Sequence, residues 1–245
     1  MCLKQIQNSG LPLSVAMTST AIYDYNHPAS TRFRMALSQD RAAQFRLAPT
    51  PSNIEVKARL RRPERTRELA ECLCGSSPEE VDQLDTFFGC QQGRLKLREV
   101  SSTSGELIFY RRDDVPGPKQ SEYLIVHTSS PSVLRGVLAA ALGTKQVVEK
   151  SRTLFLFGQT RIHLDAVENL EAFVGLELVL WEDQSAEEGP SIVRHLMRFL
   201  EIGEGDLVEG AYADLLPATS RPPIHTNEKR LSEPYLPSLI QFCRR

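Results

Sequence analysis

Polar and apolar residues alternate over Asn53-Ile54-Glu55-Val56-Lys57-Ala58-Arg59-Leu60, a period of two that predicts a strand with one polar face. The same period returns after Gly93 in Arg94-Leu95-Lys96-Leu97-Arg98, and residues 106–112 run back across a turn at 101–105 as its hairpin partner. Further strands are predicted near 85–88 and over 121–127, 147–157, 160–165 and 173–181, about eight in all.

Between them the period becomes helical. Pro63 opens a helix that Gly75 ends, with Leu69, Cys72 and Leu73 on one face. Ser130-Pro131 opens a second, ended by Gly143. Pro190 opens a third that turns Ile192, Val193, Leu196, Met197 and Leu200 inward. Ser77-Pro78-Glu79-Glu80 reads as a short helical turn capped by Ser77, and residues 206–216 as a short closing helix. Strands joined mostly as hairpins, with helices inserted between some, predict an α+β domain over 52–216. Its expected architecture is an eight-stranded antiparallel β barrel with flanking helices.

Composition narrows the class. The chain has 245 residues, 41% hydrophobic and 24% charged, with net charge −2, as in ordinary soluble proteins. No apolar run approaches the roughly 20 residues of a spanning helix, so no membrane partner is expected. The start lacks the pattern of a secretory leader, and five scattered cysteines suit reduced thiols in a cytoplasmic protein. Residues 1–52 and 217–245 each hold five basic and two acidic side chains, which leaves the middle at −8. Residues 1–51 and 217–245 show little periodicity and read as flexible extensions.

That negative total makes the polar phase of the strands informative. It collects Lys57, Arg59, Arg94, Lys96, Arg98, Arg112, Lys150, Arg152 and Arg161, with His163 and only three carboxylates, Glu55, Asp165 and Glu177. A solvated face would share the region's acidity; a basic set drawn from many strands of a closed sheet converges inside it and calls for an anion. The carboxylates offer oxygen ligands suited to magnesium or manganese completed by substrate phosphates, or else act as internal salt-bridge partners for the arginines. No G-x-x-x-x-G-K-[ST] loop occurs, and the acidity left outside argues against duplex nucleic acid.

These residues resemble a known family. Asn53-x-Glu55-x-Lys57, Gln83-x-Asp85-Thr86-Phe87-Phe88, Gly93-Arg94-Leu95-Lys96-Leu97-Arg98-Glu99, residues 107–112, Arg161-Ile162-His163-Leu164-Asp165 and Phe173-Val174-Gly175-Leu176-Glu177 follow, in order, the pattern of the CYTH or triphosphate tunnel metalloenzyme superfamily. The wording is similar to the class IV adenylyl cyclase-like branch, related to thiamine triphosphatase. The resemblance implies a tunnel for a small triphosphate or polyphosphate. Glu55, Asp165 and Glu177 would ligate metal, and Lys57, Arg59, Arg94, Lys96, Arg98, Arg112, Lys150, Arg152 and Arg161 would bind phosphate. Catalysis would rest on Glu55, Lys57 and Arg161. Asn53 and Gly175 stand where the family has glutamates, which weakens the expected metal site but not anion binding. The expected activity is metal-dependent hydrolysis of a triphosphate. Adenylyl cyclase chemistry and non-catalytic capture of polyphosphate are the alternatives, in a monomer or homodimer.

Overall fold

The computed structural model describes residues 51–181 and 184–217. The two expected extensions therefore lie outside the described residues, apart from Pro51 and Pro217. Eight strands close into a barrel in the order β1-β5-β4-β3-β2-β6-β7-β8, every neighbouring pair antiparallel. They are β1 (Ser52–Arg59), β2 (Glu79–Phe88), β3 (Arg94–Ser101), β4 (Ser104–Arg112), β5 (Lys119–Thr128), β6 (Thr144–Phe157), β7 (Thr160–Val167) and β8 (Ala172–Val179). Sequential strands form two meanders, β2 to β5 and β6 to β8. The connections β1–β2 and β5–β6 join strands that are not neighbours, and each carries a helix: α1 (Pro63–Cys74) and α2 (Pro131–Leu142). Helix α3 (Gly189–Phe199) follows the barrel.

The apolar phase of the strands faces outward. Ile54, Val56 and Ala58 of β1, Ile162 and Leu164 of β7, and Val174, Leu176 and Leu178 of β8 pack against Leu69 and Leu73 of α1 and Val193, Leu196 and Met197 of α3. Each of these side chains larger than Ala58 contributes about 1.5–3 kcal/mol by leaving water. The main core thus lies between barrel and helices, which frees the interior for polar side chains. Gly189, at the start of α3, lets the helix approach β1, because a Cβ there would lie 2.4 Å from Ile54 Cγ1.

Two local expectations are corrected. The helical turn predicted at Ser77 is not formed: β2 begins at Glu79 and pairs with β6 along its whole length, from Glu79–Leu154 to Phe88–Thr144. The long strand β6 must have its edge paired for the barrel to close, and this pairing overrides the local helix signal. The closing helix is also broken up. Residues 204–206 form one 3-10 turn, α4 spans only Tyr212–Leu215, and between them Val208 N–H donates to Lys57 O and Leu207 bridges Ala58. This segment plugs one end of the barrel, where Val208 and Tyr212 pack with Phe87, Val148, Val167 and Phe173. Of the cysteines expected as thiols, Cys74 and Cys90 are free. Among the described residues no helix is long and apolar enough to cross a membrane.

Candidate functional site

Strand alternation and closure aim the polar phase into the lumen, and antiparallel register decides which side chains meet. Next to the plug, Lys57 places its ammonium 3.8 Å from the centre of the Tyr212 ring and donates to Gly210 O at 3.4 Å. Arg152 grips Asp165 with two hydrogen bonds of 2.7 and 2.8 Å, and the Tyr212 hydroxyl donates to the same carboxylate at 2.7 Å. Midway, Asp85 receives Lys96, Arg98 and Lys150. Arg112 pairs with Glu55, and Arg161 pairs with Glu177 at 3.0 Å. Two of the predicted cations leave the lumen for the rim. Arg59 is paired with Glu171, its side chain 40% exposed, and Arg94 is shared by Asp114 and Asp214.

The three carboxylates do not converge on one point. Glu55 and Glu177 are direct cross-strand partners, whereas Asp165 lies four residues along β7 from Glu177's partner Arg161, about 13 Å away. Among the described residues no three His, Cys, Asp or Glu side chains gather closely enough to hold a metal ion. One nearby atom is notable: Asn53 Oδ1, two residues before Glu55 on the same face, is buried without a hydrogen-bond partner. Two facing carboxylates and a spare amide oxygen suit a single hard divalent ion that keeps waters and takes phosphate oxygens. Asp165, held by Arg152 and Tyr212, stands apart from that set.

The family model of the CYTH domain matches residues 52–212. The chain belongs to the CYTH family. Solved structures agree on the fold of this CYTH domain. The PH1012 protein from Pyrococcus horikoshii OT3 superposes with a TM-score of 0.59 at 21% identity, covering 67% of this chain and 99% of that one. A conserved hypothetical protein from Pyrococcus furiosus gives 0.57 at 16% identity, with the same coverages of 67% and 99%. A candidate adenylate cyclase from Vibrio parahaemolyticus gives 0.52 at 18% identity, covering 69% and 98%. No curated protein matches the chain in sequence.

Burial and neighbouring charges tune the groups of this CYTH tunnel. Burial, reinforced by Arg112, brings Lys57 down to about 7. Burial also lowers Lys96 and Lys150, against the pull of Asp85. Burial works against the charged forms of Asp85 and Asp165. The surrounding Arg98, Lys150 and Lys96 in the first case, and Arg152 in the second, outweigh it and hold both carboxyls well below their usual range. His163, pushed down to about 3 by burial and by Arg152, is a neutral imidazole near Glu177 at 3.6 Å.

Four residues join the site beyond those assigned to it from the sequence. Asp85 opens the strand predicted at 85–88, but the run Asp-Thr-Phe-Phe is too short to show alternation and so gave no phase. Tyr212 arrives from the plug, far along the chain. Lys119, which donates to Val115 O, Val208 O and Glu209 O, sits at the edge of a proline-containing loop. Glu106, 3.9 Å from Arg98, lies in the inward phase of β4 and was legible by alternation.

Proposed function

We propose that this CYTH protein holds the phosphate chain of a small triphosphate in its tunnel and hydrolyses it with a divalent ion. The observation that carries the reading is the charge of the closed lumen. Lys57, Lys96, Arg98, Arg112, Lys119, Lys150, Arg152 and Arg161 outnumber Glu55, Asp85, Glu106, Asp165 and Glu177 in a space walled by strands. Arginines can take phosphate oxygens as two-pronged donors and lysines as point charges. Fixed cations around the phosphates would neutralise charge where it develops, and the tunnel would align the chain for in-line attack by water. Magnesium or manganese at Glu55, Glu177 and Asn53 Oδ1 would supply polarisation of the phosphate chain when bound. Arg112 and Arg161 would then exchange their carboxylate partners for phosphate oxygens.

A second reading, capture without turnover, is favoured by one observation: every lumen carboxylate is already engaged by a cation. The deciding experiment is phosphate release from tripolyphosphate, thiamine triphosphate and ATP with magnesium, manganese or chelator, with cyclic AMP read in the ATP samples. Metal-dependent release that falls at least about 100-fold in Glu55→Gln supports hydrolysis, on the scale of losing one transition-state electrostatic partner. Tight binding with no release supports capture, and cyclic AMP in place of phosphate supports the lyase chemistry.

A further inference from the structure

Asp85 lies midway along β2 at 3% exposure and touches three cations. Lys96 Nζ donates to it at 3.0 Å, Arg98 Nε at 2.9 Å and Arg98 Nη2 at 3.2 Å, and Lys150 Nζ at 2.6 Å. These cations come from β3 and β6, the strands on either side of β2. Three cations brought together without a counter-charge repel one another and lose their hydration. A carboxylate among them relieves both costs, but it also occupies donors that an arriving phosphate would use. We propose that Asp85 is a positioning residue that sets the phosphate affinity of the tunnel: it keeps Lys96, Arg98 and Lys150 convergent and competes with phosphate for them. The inference rests on the reading of the lumen as a polyphosphate site.

A partner with a purely structural role and a competing counter-ion differ in sign. Loss of a structural partner loosens the cage, so stability and anion affinity fall together. Loss of a competing carboxylate lowers stability yet raises anion affinity, and the bound anion restores the stability lost. Substrate release is where the carboxylate would act in the native chain, by reclaiming the cations as phosphate departs.

The test uses the full chain, with tripolyphosphate in chelator at pH 6.5, followed by calorimetry and by thermal unfolding. Asp85→Asn is expected to bind about tenfold more tightly than wild type, the order of removing one nearby like charge from a screened site. Its unfolding temperature should rise more on adding tripolyphosphate than that of wild type. A variant that binds equally or more weakly than a wild type that does bind overturns the inference alone. A wild type that does not bind tripolyphosphate overturns the tunnel reading, and the inference with it. Should Asp85→Asn fail to fold, Lys150→Met is compared with Lys150→Met/Asp85→Asn. The second substitution should regain affinity lost in the first, and a further loss overturns the inference.

Discussion

Asp165 gives both carboxylate oxygens to Arg152 and shares one with the Tyr212 hydroxyl, so its charge is matched by fixed donors. Removing that hydroxyl leaves the ion pair in place but takes away a hydrogen bond to a buried charge. Tyr212→Phe is therefore expected to cost about 2 kcal/mol in urea unfolding. Asp85 makes a prediction in pH. Its folded carboxyl is held well below the ordinary value of an unfolded chain, so its contribution to stability is fully present above that ordinary value. The contribution is lost as pH falls through the folded value. The stability gap between wild type and Asp85→Asn should stay flat from pH 7 to about 5 and close only in stronger acid, below the ordinary carboxylate range. Unfolding curves across that range check it, and a gap that closes near pH 6 would contradict the assigned pairing.

At the scale of elements, close approach and open space make opposite predictions for two glycines. A Cβ at Gly189 would sit 2.4 Å from Ile54 Cγ1 between α3 and β1, so Gly189→Ala should destabilise by about 1–3 kcal/mol. Gly136, inside α2, has open space around its Cβ position, and Gly136→Ala should stabilise by about 0.5–1 kcal/mol. Thermal or urea unfolding of the two variants reads both signs. The same scale explains what the sequence disclosed. Strands with a strict two-residue period, such as β1 and β3, and helices bracketed by proline and glycine, such as α1 and α2, carry their signals locally. The first half of β2 does not: Ser-Pro-Glu-Glu is an ordinary helix opening, and only the demand of β6 for a paired edge makes it a strand. Asp85 stood inside the part legible as a strand, at 85–88, but without the alternation that would have given its phase. Arg59 shows the reverse limit, since it shares the phase of Lys57, but strand length decides which side chain reaches the rim.

The whole molecule is a basic interior inside a domain of net negative charge. Helices α1 and α3 bury the outer face of the barrel over β1, β6, β7 and β8, and the segment 207–216 closes one end. Fixed register brings Glu55 beside Glu177 and keeps Asp165 apart, a division that alternation alone could not show, because phase specifies the face and not the height along the barrel. Attraction between the lumen and the proposed polyphosphate would be chiefly electrostatic, so affinity should fall as salt rises, though less steeply than for exposed charges. The most direct test of the central claim is calorimetric titration of the full chain with tripolyphosphate, in chelator and in magnesium. Saturable binding is expected in both, weakened by at least about tenfold in Arg152→Met, where a charge-assisted pair of phosphate donors would be lost. No binding heat and no shift in unfolding temperature under either condition would contradict it.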